Sequence, residues 1–362
     1  MAFEVIDVIN RDTKLWKMLK AMPKVELHRH LEGAIQIETL LEIAKKFDIP
    51  LPSDNVDILR PYVQMTREDD ATSKQFLTKF SVLRQLFVSE EVIRHISRSV
   101  VMDAAEDNIR YMELRFTPYA EAKLMGFAIP DVVDWVSDSV AQAAAEADIK
   151  VNLIVAMNRH ESVDIGWEML QAAIDFQDRG VVAVDLCGNE IGHPADPFIE
   201  IFAEAERAGL GITIHAGEWQ GAENVKYAIE KIGTTRIGHG VRAVEDSKTL
   251  QCAVDNNIYF EVCPTSNLQT GVVNKLQQHP LVDLHYVKAN ITINTDDPAI
   301  HNISLTDEYA LMMQGLGLPL SFVQHCILNA VWASFLPSDE QAALEEEFRA
   351  ALDVGMLPET EF

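Results

Sequence analysis

The chain has 362 residues, 48% of them apolar, and a formal net charge of −26 from 30 basic and 56 acidic side chains. That length supports a sizeable core, in two domains or in one barrel of ~250 residues with insertions. So acidic a surface repels polynucleotide phosphate and anionic lipid, which argues against nucleic acid and membrane as partners but not against a neutral small molecule.

The chain opens M-A-F-E-V-I-D-V-I-N-R-D, without the basic and long apolar regions of a secretory leader. It contains no run of 18 apolar residues. Cys187, Cys252, Cys263 and Cys326 are scattered with no C-x-x-C pair, as expected of reduced thiols in a cytoplasmic protein.

Eight β-rich runs follow in order. They are K-V-E-L-H-R-H (24–30), I-R-Y-M-E-L-R-F (109–116), K-V-N-L-I-V-A-M (150–157), V-V-A-V-D-L-C-G (181–188), G-I-T-I-H-A-G-E (211–218), R-I-G-H-G (236–240), I-Y-F-E-V-C-P (258–264) and N-I-T-I-N-T-D-D (290–297). Most are nearly continuous apolar runs, as in strands buried on both faces. Helical patterns lie between them. In 164–179, Trp167, Leu170 and Ile174 recur at helical spacing before Gly180. In 196–208, Asp196-Pro197 starts a helix that carries Phe198 and Phe202 and stops at Gly209. Ser338 and Gln341 match a capping box. Strand and helix alternating to a count of eight predict an α/β fold, a closed parallel (β/α)8 TIM-type barrel. An open doubly wound sheet would carry a Gly-rich phosphate turn after its first strand, and H-L-E-G is not one. The long interval 31–108 predicts a helical insertion after the first strand, roughly 66–106, folded over one end of the barrel. With no repeat or linker, residues 1–362 read as a single domain.

Polar residues gather at strand ends: His28 and His30 on the first, His215 and Glu218 on the fifth, His239 on the sixth, Asp296 and Asp297 on the eighth. In such a barrel these ends meet at one mouth. His28 and His30, two apart on a strand, point the same way. Strands five and eight can complete a site of three imidazoles and one aspartate, a donor set that suits zinc with a position left for water. The ion would lower the pKa of that water to ~7. Glu218 lies three residues after His215, with Gly217 allowing a turn between them, and can give or take a proton there.

Each group also has a plainer reading. His239 alone could be a satisfied core histidine, and Asp296-Asp297 before Pro298 could start a turn or cap a helix. His95, His160, His193, His279, His285, His301 and His325 lack such placement and read as structural or surface. Arg115 and Arg159, also at strand ends, read as orienting or ion-pairing groups near the mouth rather than as chemical ones. Phe76, Leu77 and Phe80 in the insertion read as core, with pocket lining as the alternative.

Together, P-K-V-E-L-H-R-H-L-E-G, D-L-C-G-N-E, H-A-G-E, R-I-G-H-G, C-P-T-S-N and N-T-D-D-P resemble the adenosine deaminase family of metal-dependent amidohydrolase barrels, in the family's order from about residue 22 to 300. The resemblance implies hydrolytic deamination of adenosine and 2′-deoxyadenosine at purine C6 by a zinc-activated hydroxide, giving inosine (or its deoxy form) and ammonia. It implies one Zn²⁺ per chain, with His28, His30, His215 and Asp296 as ligands and a small purine nucleoside as partner. It makes Glu218 the proton donor to N1 and His239 the group that orients and deprotonates the attacking water. Asp297 would contact N7, the Gly188 N–H would meet N3, and His30 and Glu32 would also touch substrate. Binuclear relatives commonly carry a lysine at the end of strand four; D-L-C-G has none, so one metal is expected. The unrelated zinc deaminases, which pair H-x-E with P-C-x-x-C, are excluded, since the chain has no P-C-x-x-C.

The departure is Glu32. Typical adenosine deaminases read H-x-H-L-D-G, and the branch acting on N6-methylated adenylate has asparagine there. Glutamate occurs in relatives acting on adenine or 6-aminodeoxyfutalosine, which are the alternative substrates. A non-catalytic metal- or nucleoside-binding barrel is the remote alternative.

Overall fold

In the computed structural model, which describes residues 9–352, eight parallel strands pair in strict chain order. They are β1 (Lys24–His30), β2 (Ile109–Phe116), β3 (Lys150–Asn158), β4 (Val181–Cys187), β5 (Gly211–Ala216), β6 (Arg236–His239), β7 (Tyr259–Val262) and β8 (Asn290–Ile293). The first eight residues, part of the stretch read for a leader, lie outside the described residues.

The ring closes just beyond β8. The Asp296 N–H donates to the His28 carbonyl and the His30 N–H to the Asp296 carbonyl, both at 2.9 Å. Side chains stitch the rest of this seam. The Leu27 N–H donates to Asn294 Oδ1 at 3.0 Å, and Thr295 donates its N–H and its hydroxyl to the two Glu26 oxygens at 3.1 and 3.0 Å. The fold is therefore the (β/α)8 barrel.

Its lumen holds buried charge. Arg236 pairs with Glu113 and, at 2.7 Å, with Glu261; Arg115 pairs with Glu261 at 2.7 Å and Asp185 at 3.1 Å. Charges this deep persist only when paired, so the network specifies how the strands sit around it.

The insertion differs from expectation at both ends. Helix Glu90–Glu106 packs on β2 and on helix Ile129–Ala147, burying Val92, Ile93, Ile96, Val100, Val101 and Ala104. It is the ordinary crossover helix between β1 and β2. The inserted part precedes it and includes helices Ile37–Lys46, Val56–Val63 and Ser73–Leu83. It is tied over the mouth by the Met65 N–H to the Ile300 carbonyl (2.8 Å) and Gln64 Nε2 to the Ala299 carbonyl (2.7 Å).

Other helices follow the sequence with local corrections. Helix Val163–Asp175, capped by Ser162, buries Met169, Leu170, Ala172 and Ala173, while Trp167 stays 39% exposed. A short 3-10 turn, Asp196–Phe198, precedes helix Ile199–Arg207. The box expected at Ser338 and Gln341 is not formed. Ser338 is the first helical residue, and Gln341 Nε2 instead donates to the Trp332 carbonyl at 2.7 Å. A capping box does form at Ser304 and Asp307. No helix among the described residues is long and apolar enough to cross a membrane.

Candidate active site

Three site residues owe their aim to left-handed backbone at the mouth. Gly217 turns the chain after β5 at φ +67°, and His239 and Asp296 adopt φ +60° and +64°. Only glycine takes this region freely, so two non-glycine residues here mark backbone held against strain. Strands five and eight consequently end sooner than their sequence runs, and Glu218, Asp296 and Asp297 stand on turns beyond them.

His28, His30, His215 and Asp296 each offer one donor atom, and these atoms lie within 4.8 Å of one another. His28 Nδ1 lies 2.7 Å from Glu261 Oε2, and His215 Nδ1 lies 3.1 Å from Asp185 Oδ2. A proton on each Nδ1, donated to its carboxylate, leaves the Nε2 lone pair free. Those lone pairs face a common point. His30 Nε2 is 3.4 Å from His215 Nε2, and Asp296 Oδ1 is 3.3 Å from His28 Nε2 and 3.4 Å from His30 Nε2. His28 Nε2 is fully buried with no hydrogen-bond partner. Converging lone pairs and an orphaned buried nitrogen are what a cation satisfies. About 3.4 Å is also the edge of a tetrahedron with metal–nitrogen bonds of ~2.1 Å. The residues fit a divalent metal ion. Asp296 is anchored through its second oxygen, which accepts from the Ser266 hydroxyl at 2.7 Å.

Beside this set, His239 Nε2 lies 3.6 Å from Glu218 Oε2 and 3.9 Å from Asp296 Oδ2. Burial drives the Glu218 carboxyl well above its ordinary range, and the negative charges of Asp296 and Glu190 push the same way. Burial drives His239 well below its ordinary value despite the pull of Asp296. Burial thus favours the protonated acid on Glu218 and the neutral imidazole on His239, two groups whose environments set them apart for acid and base roles. Asp297 is also raised, by burial and then by Asp296, and its Oδ1 has no partner. Gly33 makes room for it: a Cβ there would sit 1.6 Å from Asp297 Oδ1.

These groups open on one cavity of about 330 Å³. Of the nine residues singled out from the sequence, His30, Glu32, Gly188, His215, Glu218, His239, Asp296 and Asp297 line it, and His28 lies directly behind. Glu32 Oε1 accepts the Thr117 N–H at 2.9 Å, and burial raises its carboxyl. Phe76, Leu77 and Phe80, read as core with pocket lining as the alternative, do both: Phe76 belongs to the core, Leu77 and Phe80 pack against it, and all three line the cavity. Phe76 stacks on His301, ring centroids 5.4 Å apart, and meets Trp219 edge-on. His160 and His193, read as structural or surface, also face it. Arg159 and Arg115 do hold the mouth: Arg159 donates to the His215 carbonyl, and Arg115 to Asp185.

Sequence reasoning did not assign Glu261, Asp185, Glu190, Ser266 or Asn267. The first two left a signal, a lone carboxylate inside an apolar strand, in I-Y-F-E-V and V-V-A-V-D-L. The others sit in quoted motifs but act through partners that only the fold supplies.

A family model for adenosine deaminase matches residues 23–351. An adenosine deaminase of Aliivibrio fischeri (strain ATCC 700601 / ES114) is 36% identical over 329 residues, spanning 91% of this chain and 98% of that protein. One from Vibrio parahaemolyticus is 37% identical over 332 residues, with 91% and 98% covered. Among solved structures, an adenine deaminase from Arthrobacter aurescens superposes with a TM-score of 0.85 at 26% identity, over 92% of this chain and 100% of that one. An Arabidopsis N6-mAMP deaminase gives 0.82 at 27% identity, over 92% and 99%.

Proposed function

The chain belongs to the adenosine deaminase family, and from that premise we propose how its residues divide the work. The protein is a hydrolase that deaminates adenosine to inosine and ammonia, and it uses a metal cofactor. We take 2′-deoxyadenosine as a further substrate, residues 1–362 as one domain, and the metal as one zinc ion per chain, held by His28, His30, His215 and Asp296. Three imidazole nitrogens and a carboxylate favour zinc. When bound, the ion supplies positive charge that makes hydroxide available at neutral pH.

The remaining work falls to the chain's own groups. Glu218, protonated in its buried position, donates to purine N1. That withdraws electron density from the ring and makes C6 electrophilic. His239 orients the attacking water and takes its proton. If Asn267 turns its amide, Oδ1 accepts the His239 Nδ1–H across the 3.1 Å contact, and the Nε2 lone pair is free to act as base. This also satisfies Asn267 Oδ1, which otherwise has no partner. Asp297, whose protonated form burial favours, donates to N7, and the Gly188 N–H meets N3. Glu32 accepts from the sugar. The Phe76, Leu77 and Phe80 side chains keep water from the base. His239 passes the water's proton to the exocyclic amine, which leaves as ammonia as the C6–N bond breaks, and the C6 hydroxyl returns a proton to Glu218 as the 6-oxo group forms.

The observation that carries this reading is the adjacency of Glu218, His239 and four converging candidate metal donors in one cavity. A non-catalytic barrel would be expected to have lost one of these groups, and none is lost. A second reading, deamination of adenine or of 6-aminodeoxyfutalosine, is favoured by Glu32, one methylene longer than the usual aspartate. The test is ammonia release from the zinc-loaded enzyme, comparing kcat/KM for adenosine, 2′-deoxyadenosine, adenine and 6-aminodeoxyfutalosine. Adenosine should lead the last two. A hundredfold preference for either of those would replace adenosine as the substrate.

A further inference from the structure

We propose that Glu190, which does not reach the cavity, is the positioning residue for Glu218: its carboxylate gathers the backbone of the H-A-G-E turn and thereby aims the proton donor at the purine. The inference rests on Glu218 being that donor. Glu190 lies in the loop after β4 and is 2% exposed. One of its oxygens accepts the N–H groups of Glu218, Trp219 and Gln220 at 3.1, 2.8 and 2.9 Å. The other accepts the Gly217 N–H and Asn224 Nδ2, each at 2.8 Å.

Four successive N–H groups converging on one carboxylate form an anion-binding nest, here filled from within the chain. The left-handed Gly217, at φ +67°, makes the convergence possible. Each bond is charge-assisted, so the set is stronger than neutral turn bonds. The opposite side of the same turn is held as well, where Arg159 donates to the His215 carbonyl and, at 3.2 Å, to the His193 carbonyl. The chain leaving β5 is thus gripped by its carbonyl on one side and its N–H groups on the other. Glu218 emerges from this clamp with its backbone fixed, leaving only side-chain rotations to settle. A displacement of about 1 Å at such a group can cost ~10²-fold in rate.

Glutamine at 190 keeps the length but turns an NH₂ group toward N–H donors, so at least one arm of the nest must open. In Glu190→Gln we expect kcat to fall ~10–100-fold with KM within about twofold and metal content full by elemental analysis. Asn224→Ala, which removes one side-chain bond and leaves the nest, should lower kcat by a few-fold, again at constant KM, and decides the matter if the first variant does not fold. Glu218→Gln is measured in parallel. Near-normal kcat in Glu190→Gln, or in Asn224→Ala where the first does not fold, with Glu218→Gln inactive, overturns the positioning role alone. Near-normal kcat in Glu218→Gln overturns the reading on which it rests.

Discussion

Asp296 meets His28 twice: its N–H donates to the His28 carbonyl at 2.9 Å, and its carboxylate Oδ1 lies 3.3 Å from the His28 Nε2. The first contact closes the barrel between β8 and β1. The second is one edge of the metal donor set. Closure and metal binding therefore share a residue pair, and each should be felt by the other.

Chelation should accordingly lower the melting temperature, and zinc should restore it. An ion present at a thousandfold over its Kd stabilises by ~4 kcal/mol, which amounts to at least a few degrees for a chain of this size. His215→Ala should bind no metal, show no turnover and melt at the same temperature with or without chelator. Full zinc occupancy in that variant would contradict the ligand assignment.

Glu218→Gln should retain its metal and lose ~10²–10⁴ in kcat, the usual worth of a positioned acid. Because burial, Asp296 and Glu190 raise the Glu218 pKa, wild-type kcat/KM should hold above the ordinary carboxylate range and fall as pH rises past the raised pKa. The pH–rate profile of the variant should lack that alkaline limb.

Asp185 is held ionised, far below the ordinary carboxylate range, because His215 and Arg115 outweigh its burial. It fixes the His215 ring from behind. Asp185→Asn should weaken zinc binding 10–100-fold in a chelator competition. It should also cost stability, on the order of 3 kcal/mol, because Arg115 loses one of its buried counter-charges. Unchanged zinc affinity would show that His215 keeps its aim without Asp185.

Glu308 is buried behind the site, with Oε1 accepting the Thr265 N–H at 2.9 Å and Oε2 unpartnered. Burial raises its pKa from 4.5 to about 8. Between those values the folded chain holds a proton that the unfolded chain has released. Its contribution is therefore fully present below the lower value and is lost as pH rises to the upper one, at most roughly 5 kcal/mol. Glu308→Gln should flatten stability against pH and exceed wild type near the alkaline end, as read by denaturant midpoints at several pH values. Parallel curves for the two proteins would refute it.

Much of this is legible in the amino-acid sequence. Local periodicity located the strands because each is buried on both faces and so reads as an apolar run. The residues now lining the cavity stood out as charged or imidazole groups at the ends of such runs. Less legible were features whose local pattern fits two fates. Phe76 and Phe80 at helical spacing look the same whether they face a core or a cavity, and helix Glu90–Glu106 looks the same in an insertion as in a crossover. Ser338 carries the residue types of a capping box, but its helix starts at that residue, so no cap forms.

Taken alone, the amino-acid order determined the strand count, the barrel and the four residues that converge as candidate metal donors, because residue type and spacing are properties of a short stretch of chain. Tertiary structure decided which carboxylate stands behind which imidazole: Glu261 behind His28 and Asp185 behind His215, 233 and 30 residues away. It also decided that Glu190 grips the turn bearing Glu218. Those pairings arise only when the ring of strands closes and brings distant side chains into a water-poor lumen, where an unpaired charge is too costly to persist.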